Sequence, residues 1–268
     1  MVRSNFHTHT RYCDGKDSPA ELAETALALG FRALGFSGHS YTPFDPCGMT
    51  PEGSARYRAE VAALKEKYRG RMEVCCGVEQ DYFSGRAEGY DYVIGSVHYI
   101  LKDSEYLSVD WSAEKTEEIV ARHYGADPYA YAEDYFALVG QVHSVTGCQI
   151  VGHFDLLRKF DEAGEMLDET SPRYRAAALG ALDALCAADP VFEINTGAMA
   201  RGARKTPYPS LWLLREIKNR GSRIMLNTDC HDRRYLDFGL EAARALALEA
   251  GFTERTVLRS GAFTSVKL

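Results

Sequence analysis

The chain has 268 residues, 46% of them apolar and 26% charged, a globular composition that excludes disordered and fibrous classes. Its 31 basic and 38 acidic residues leave a formal charge of −7, so bulk electrostatics give no support to a nucleic-acid partner, and an anionic ligand would need local cations. No segment reads as a secretory signal or a membrane span, and seven cysteines without C-x-x-C spacing form neither a disulfide framework nor a zinc ribbon, so a cytoplasmic protein is expected.

In chain order, the first predicted strand is Val2–His7. Asp17-Ser18-Pro19 then offers a cap and an early proline, Leu22, Ala26 and Leu29 recur at helical spacing, and Gly30 follows, which predicts a helix over Pro19–Leu29. Next come strand Ala33–Ser37, helix Ser54–Lys67, and strands Met72–Val78 and Tyr92–Val97. Residues 99–127 break the rhythm. They are polar and rich in Glu, Lys and Tyr, and read as an irregular excursion or lid over one face. Beyond them lie helix Pro128–Val145, strand Gln149–Gly152, helix Ser171–Ala187, strand Val191–Asn195, helix Pro209–Asn219, strand Arg223–Asn227 and helix Gly239–Ala250. There is no repeat and no linker. Alternation of buried-looking strands with helices argues for an α/β fold with a parallel sheet, most simply one barrel of about seven or eight units over 1–268.

The histidines carry the functional signal. His7 and His9 end the first strand, His39 follows the second, Glu79 ends the third, His98 the fourth and His153 the fifth, while Asp229 and His231 follow the last. In a parallel barrel those strand ends converge on one mouth. Alternate residues of a strand share a side, so His7 and His9 can reach one ion together, and Asp229-Cys230-His231 repeats the spacing. With Asp14, the candidate ligands are His7, His9, Asp14, His39, Glu79, His98, His153, Asp229 and His231. Nine ligands exceed one tetrahedral ion. Two or three divalent transition-metal ions (zinc, iron or manganese), bridged by a carboxylate, absorb them. His143 falls inside a helical pattern and is read as structural or exposed; His123, in the irregular segment, is read as exposed, with a substrate contact as the alternative, and Cys13 and Cys230 as small buried side chains, with metal binding as the alternative.

These residues resemble a known family. His7-Thr8-His9, Asp14-Gly15, Ser37-Gly38-His39, Gly77-Val78-Glu79, Gly95-Ser96-Val97-His98, Gly152-His153 and Asn227-Thr228-Asp229-Cys230-His231 are similar, in order, to the blocks of the PHP (polymerase and histidinol phosphatase) superfamily. Within it, Gly152-His153-Phe154-Asp155, Glu193-Ile194-Asn195-Thr196 and Pro207-Tyr208-Pro209-Ser210 resemble the monofunctional histidinol-phosphate phosphatases. The resemblance implies a distorted, TIM-barrel-like (β/α)7 barrel with a trinuclear centre. It implies that His7, His9, Glu79 and Asp229 hold one ion, that Glu79 bridges to a second held by His98 and His153, and that Asp14, His39 and His231 hold a third.

The expected chemistry is hydrolysis of a small-molecule phosphomonoester, L-histidinol phosphate, by in-line attack of metal-bound hydroxide, with Glu79, Asp229 and His231 as catalytic residues. Arginine's fork suits phosphate, and Arg158 and Arg201 follow inward strands; each is a phosphate contact or a solvated charge, with Arg204 and Lys205 as neighbours. Asp155, Tyr41, Phe83, Tyr99, Trp111 and Phe154 are eligible to read the amine and imidazole. A PHP phosphoesterase acting on nucleotides, phosphotyrosine or sugar phosphates is the alternative, and a non-catalytic PHP binding module is the alternative of another class. The oligomeric state is left open.

Overall fold

The structure, a computed structural model, describes residues 3–268, so the Val2 end of the first predicted strand lies outside the described residues. The first half runs β1 (Ser4–Asn5), α1 (Pro19–Ala28), β2 (Ala33–Phe36), α2 (Pro51–Tyr68), β3 (Glu73–Asp81), β4 (Tyr92–Ser96), β5 (Tyr99–Lys102), β6 (Glu105–Ser108), α3 (Ala113–His123), α4 (Pro128–Val139) and α5 (Val142–Thr146). It continues with β7 (Ile150–Val151), α6 (Pro172–Cys186), β8 (Val191–Asn195), α7 (Gly197–Ala200), α8 (Leu211–Asn219), β9 (Arg223–Asn227), α9 (Leu240–Glu249), β10 (Glu254–Arg259) and β11 (Ala262–Lys267). Seven strands pair in parallel in the order β1-β2-β3-β4-β7-β8-β9, as the strand–helix alternation predicts.

The sheet curls until its two edges meet, giving a nearly closed (β/α)7 barrel. Among the described residues, a single parallel bridge, Thr8 to Cys230, joins the edges. Elsewhere along the seam side chains replace the ladder. Phe6 N–H donates to Asn227 Oδ1 at 2.8 Å, and Thr228 N–H donates to Asn5 Oδ1 at 3.0 Å. Asn5 Nδ2 also donates to Thr228 Oγ1 at 2.7 Å. These amides satisfy backbone groups that a buried barrel edge would otherwise orphan.

The floor of the barrel is apolar. Phe6, Tyr92, Ile94, Ile150, Val191 and Met225 fill it, and the β10–β11 hairpin caps it from below with Val257 and Leu258. Tyr92 lies across the interior, with its hydroxyl 2.6 Å from Phe6 O and 2.9 Å from Phe36 O. Gly77 makes room for the ring, since a Cβ there would sit 2.3 Å from it. The helices form the outer layer. Helix α1 starts on a capping box in which Ser18 and Glu21 each bond the other's backbone N–H.

The departures from expectation have local causes. The predicted helix Pro128–Val145 is two, broken at Gly140-Gln141, where a Cβ on Gly140 would come within 3.2 Å of the Ala181 backbone of α6. Residues 99–127 are not irregular: they hold the β5–β6 hairpin and α3, which Ser112 caps. The β10–β11 hairpin was also unpredicted; it turns through Ser260 and Gly261, both at positive φ.

Candidate metal centre

β3 runs two residues past the predicted carboxylate, to Asp81, while His7 and His9 lie beyond the short β1 and not at its end. The result is still the expected convergence at the C-terminal end of the barrel. Glu79 stands at its middle, 1% exposed. Its Oε2 lies 3.2 Å from His7 Nε2, 3.4 Å from His9 Nε2 and 3.0 Å from His39 Nδ1. Its Oε1 lies 2.9 Å from His153 Nε2 and 3.3 Å from His98 Nε2, and accepts from Ser96 Oγ at 2.7 Å. One carboxylate thus faces two sets of imidazoles, one on each oxygen.

Two further carboxylates complete the cluster. Asp229 Oδ1 is 3.1 Å from His9 Nε2 and 3.5 Å from both His7 Nε2 and His231 Nδ1. Asp14 reaches His231 Nε2 at 3.2 Å, His9 Nδ1 at 3.5 Å and His39 Nε2 at 3.7 Å. All nine predicted ligands are therefore brought together.

The residues fit a metal centre on geometry alone. Three groups, namely His9 with Asp14, His39 and His231, His7 with His9 and Glu79, and His39 with Glu79 and His98, each place their ligand atoms within 4.8 Å of one another. His7 Nε2 and His9 Nε2 are buried and make no hydrogen bond despite carboxylate oxygens 3.1–3.5 Å away. Close but unaligned donor atoms are what a set aimed at a shared central point should show.

The electrostatics agree. Burial pushes the Glu79 carboxyl up, but His7, His39 and His98 outweigh it and hold the group well below the carboxylate range. Asp229 is likewise held low against burial by Arg201 and His7, and Asp14 by His39 and His231. Burial, with His231 and His39 alongside, pushes His9 down to about 3 and leaves a neutral imidazole. His7 and His98 rise above the ordinary histidine value against burial: Glu193 and Glu79 raise His7, and Glu79 and Asp81 raise His98.

The cluster floors a cleft of about 330 Å³. A wider groove of about 850 Å³, beside Met72 and Leu258 at the opposite end of the barrel, holds none of the histidines, so size does not identify the reactive site here. Arg201, at the C-cap of the short helix α7, bends over the cleft, with Nη2 2.9 Å from Asp229 Oδ2 and Nη1 3.0 Å from His231 Nδ1. Arg158 does not reach the cleft, which corrects the sequence expectation. It is buried, and its guanidinium is spent on Glu169 and on the carbonyls of Asp161 and Glu162. A 3-10 turn over Leu156–Arg158 swings the next residue, Lys159, into the cleft, where it binds Asp110 Oδ2 at 2.9 Å. Arg204 is buried over the Tyr208 ring, and Lys205 is exposed.

Of the other eligible residues, only Tyr99 and Trp111 line the cleft. Asp155 is buried and accepts from Ser210 N–H, Phe154 is core, and Tyr41 is exposed. His143 is structural, with Nδ1 2.7 Å from Cys148 O. His123 pairs with Asp103 at 3.1 Å, outside the cleft. None of the seven cysteines is in a disulfide.

Sequence reasoning assigned no role to Glu193, Asp81, Asp110 or Lys159. A signal existed for the first two: each is a carboxylate at an inward position of a buried strand, where an unpaired charge is costly and so must have partners. Nothing in the sequence placed Lys159 ahead of Arg158.

Comparison with known proteins agrees with the arrangement. The chain is 30% identical over 238 residues to a Deinococcus radiodurans protein named "Probable histidinol-phosphatase", covering 84% of this chain and 85% of that one. It is 24% identical to the histidinol-phosphatase of Bacillus subtilis, covering 90% of this chain and 98% of the relative. The crystal structure of histidinol phosphate phosphatase from Lactococcus lactis, complexed with zinc, L-histidinol and phosphate, aligns with a TM-score of 0.74 at 19% identity, covering 98% of this chain and 99% of that one, a likeness of fold. The PHP domain profile matches residues 5–197, and the chain belongs to the PHP domain family.

Proposed function

We propose that this chain is a metal-dependent phosphomonoesterase that hydrolyses L-histidinol phosphate to L-histidinol and phosphate. The observation that carries the reading is Glu79, a buried carboxylate with three imidazole nitrogens within 3.4 Å of one oxygen and two within 3.3 Å of the other. The names of the relatives supply the substrate.

In this reading His7, His9, Glu79 and Asp229 hold one divalent ion, Glu79, His98 and His153 a second, and Asp14, His39 and His231 a third. Such ions supply Lewis acidity toward phosphoryl oxygens and lower the pKa of water. The chain's own residues do the rest. Arg201 presents two donors to the phosphoryl group, whose equatorial oxygens gain charge as the bond to the leaving oxygen breaks. Lys159 adds a second cation from the facing wall. Arg201 orients Asp229 through Oδ2, which leaves Oδ1 facing the imidazoles of His7, His9 and His231. Asp45 and Asp110 with Tyr99 and Trp111 line the outer cleft and suit a substrate tail carrying an ammonium and a flat ring. We assign the whole chain to one catalytic domain in which 99–127 forms a wall of the cleft. No helix among the described residues is long and apolar enough to cross a membrane, and we place the enzyme in the cytoplasm.

The test is a panel of phosphomonoesters, including L-histidinol phosphate, nucleotides, phosphotyrosine and sugar phosphates, assayed after reconstitution with Mn²⁺, Fe²⁺ or Zn²⁺. L-histidinol phosphate should give the highest kcat/KM with at least one metal. A higher value for any other ester class overturns the substrate assignment, and no turnover of any ester overturns the enzyme reading.

A further inference from the structure

Strand β8 supplies no candidate ligand, yet it carries a fully enclosed carboxylate. Glu193 is 1% exposed and receives four hydrogen bonds. Oε1 lies 2.7 Å from His7 Nδ1 and 2.9 Å from Asn227 Nδ2. Oε2 lies 3.0 Å from the His153 backbone nitrogen and 2.9 Å from Asn195 Nδ2.

The direction of these bonds is fixed from outside. Asn227 cannot flip its amide, because its Oδ1 accepts from Phe6 N–H at 2.8 Å. Asn195 cannot flip either, because its Oδ1 accepts from Gly197 N–H at 2.8 Å. The His153 backbone nitrogen is a donor by nature. Three of the four partners are therefore donors, spread over both oxygens, the arrangement that suits an ionised, acceptor-only carboxylate. The fourth partner, His7 Nδ1, faces that carboxylate and must carry its hydrogen toward it. The opposite ring atom is Nε2, the buried nitrogen left without a hydrogen bond between Glu79 and Asp229.

We propose that Glu193 is a positioning residue: it locks His7 with Nε2 turned to the first ion and, through the His153 backbone, sets the spacing between the first and second ion sites. The inference rests on the metal-dependent reading above. Glu193 does not line the cleft, so it acts through His7 and His153 and not on substrate. A carboxylate behind a ligating imidazole fixes the ring and raises its basicity, and losing such a partner weakens metal binding by roughly 10–100-fold.

The decisive variant is Glu193→Gln, which keeps the size but sets an amide N–H₂ against donors on one side. Wild type and variant are purified without chelator, zinc content is measured, and zinc affinity is obtained by competition with a chromophoric chelator. Expected is the loss of at least one ion per chain, or an affinity about 10–100-fold weaker, with the circular dichroism spectrum kept. Tyr92→Phe, which removes a hydroxyl from the barrel floor, should lower Tm while leaving the zinc count unchanged, so that lost stability is not mistaken for lost positioning. If Glu193→Gln fails to fold, ¹⁵N-histidine spectra of the zinc-loaded wild type decide: a protected Nδ1–H on His7 supports the proposal, and its absence overturns it. Wild-type zinc count and affinity in folded Glu193→Gln also overturn it. A wild type that binds no zinc, iron or manganese defeats the metal reading itself, a separate result.

Discussion

The floor and the mouth of this barrel are built from the same strands and the same inward face, yet one is lined by apolar side chains and the other by charged ones. Along β4, Tyr92 and Ile94 point into the floor, and Ser96 and His98, two and four residues further on, reach Glu79. Along β8, Val191 is floor while Glu193 and Asn195 belong to the polar network. Along β9 the sequence is Met225, then Asn227, then Asp229. Period two keeps all of them on one side, so the chemistry changes at one level of the barrel and not from strand to strand. The difference separates two kinds of residue: those whose loss should damage stability and those whose loss should damage turnover.

The sharpest break in that division would come from Glu79→Gln. Removing the central negative charge should lower kcat by on the order of 10³-fold or more, with far-UV circular dichroism unchanged. Near-normal initial rates would mean that the centre is organised around another group. Next in size, Arg201→Ala should lower kcat/KM by roughly 10²–10³, equivalent to about 2.7–4 kcal/mol, and Arg201→Lys should restore part of it. Arg158→Ala should behave as a floor-type change despite its neighbourhood, with a lower Tm in thermal melts and little change in KM for the protein that folds. A KM effect as large as that of Arg201→Ala would show that Arg158 meets substrate after all.

On the floor, Gly77→Ala forces a methyl into the Tyr92 ring and should cost about 1–3 kcal/mol in denaturant unfolding, with specific activity per folded molecule unchanged. The smallest effect concerns pH. His7 and His98 are raised above the ordinary histidine value in the metal-free protein, so each keeps its proton to higher pH than a free imidazole does, and each proton must leave before its nitrogen can bind metal. Metal affinity should therefore rise as pH is raised from 6 to 8, with proton release visible by calorimetry in two buffers of different ionisation enthalpy. A flat profile would contradict the raised values.

The readable part of the molecule follows from the same division. The barrel strands were legible because most are short apolar runs bounded by turns, although β1 is the polar pair Ser4–Asn5, and the cluster of nine candidate ligands was legible because they fall in one phase past the strand ends. Residues 99–127 were not, since the β5–β6 hairpin packs only one face and its Glu, Lys and Tyr mimic an exposed loop. Arg158 and Lys159 are adjacent, and only the phase of a 3-10 turn decides which one enters the cleft. Arg158 is held away by Glu169, a contact that nothing in the sequence marks.

The seam between β1 and β9 has a consequence for the chain as a polymer. Among the described residues, one backbone bridge and a few amides join the barrel's two edges, while His7 and His9 stand on one edge and Asp229 on the other. An ion held by all three is a cross-link between the start and the end of the chain, closing a ring that contains most of its residues. Restricting an unfolded chain of that length is worth on the order of 5 kcal/mol in the loop-entropy picture, comparable to a disulfide in a protein that has none. Chelation would then act as the cutting of a clasp, and amide exchange should accelerate first along β1 and β9, well before it reaches the Tyr92 floor.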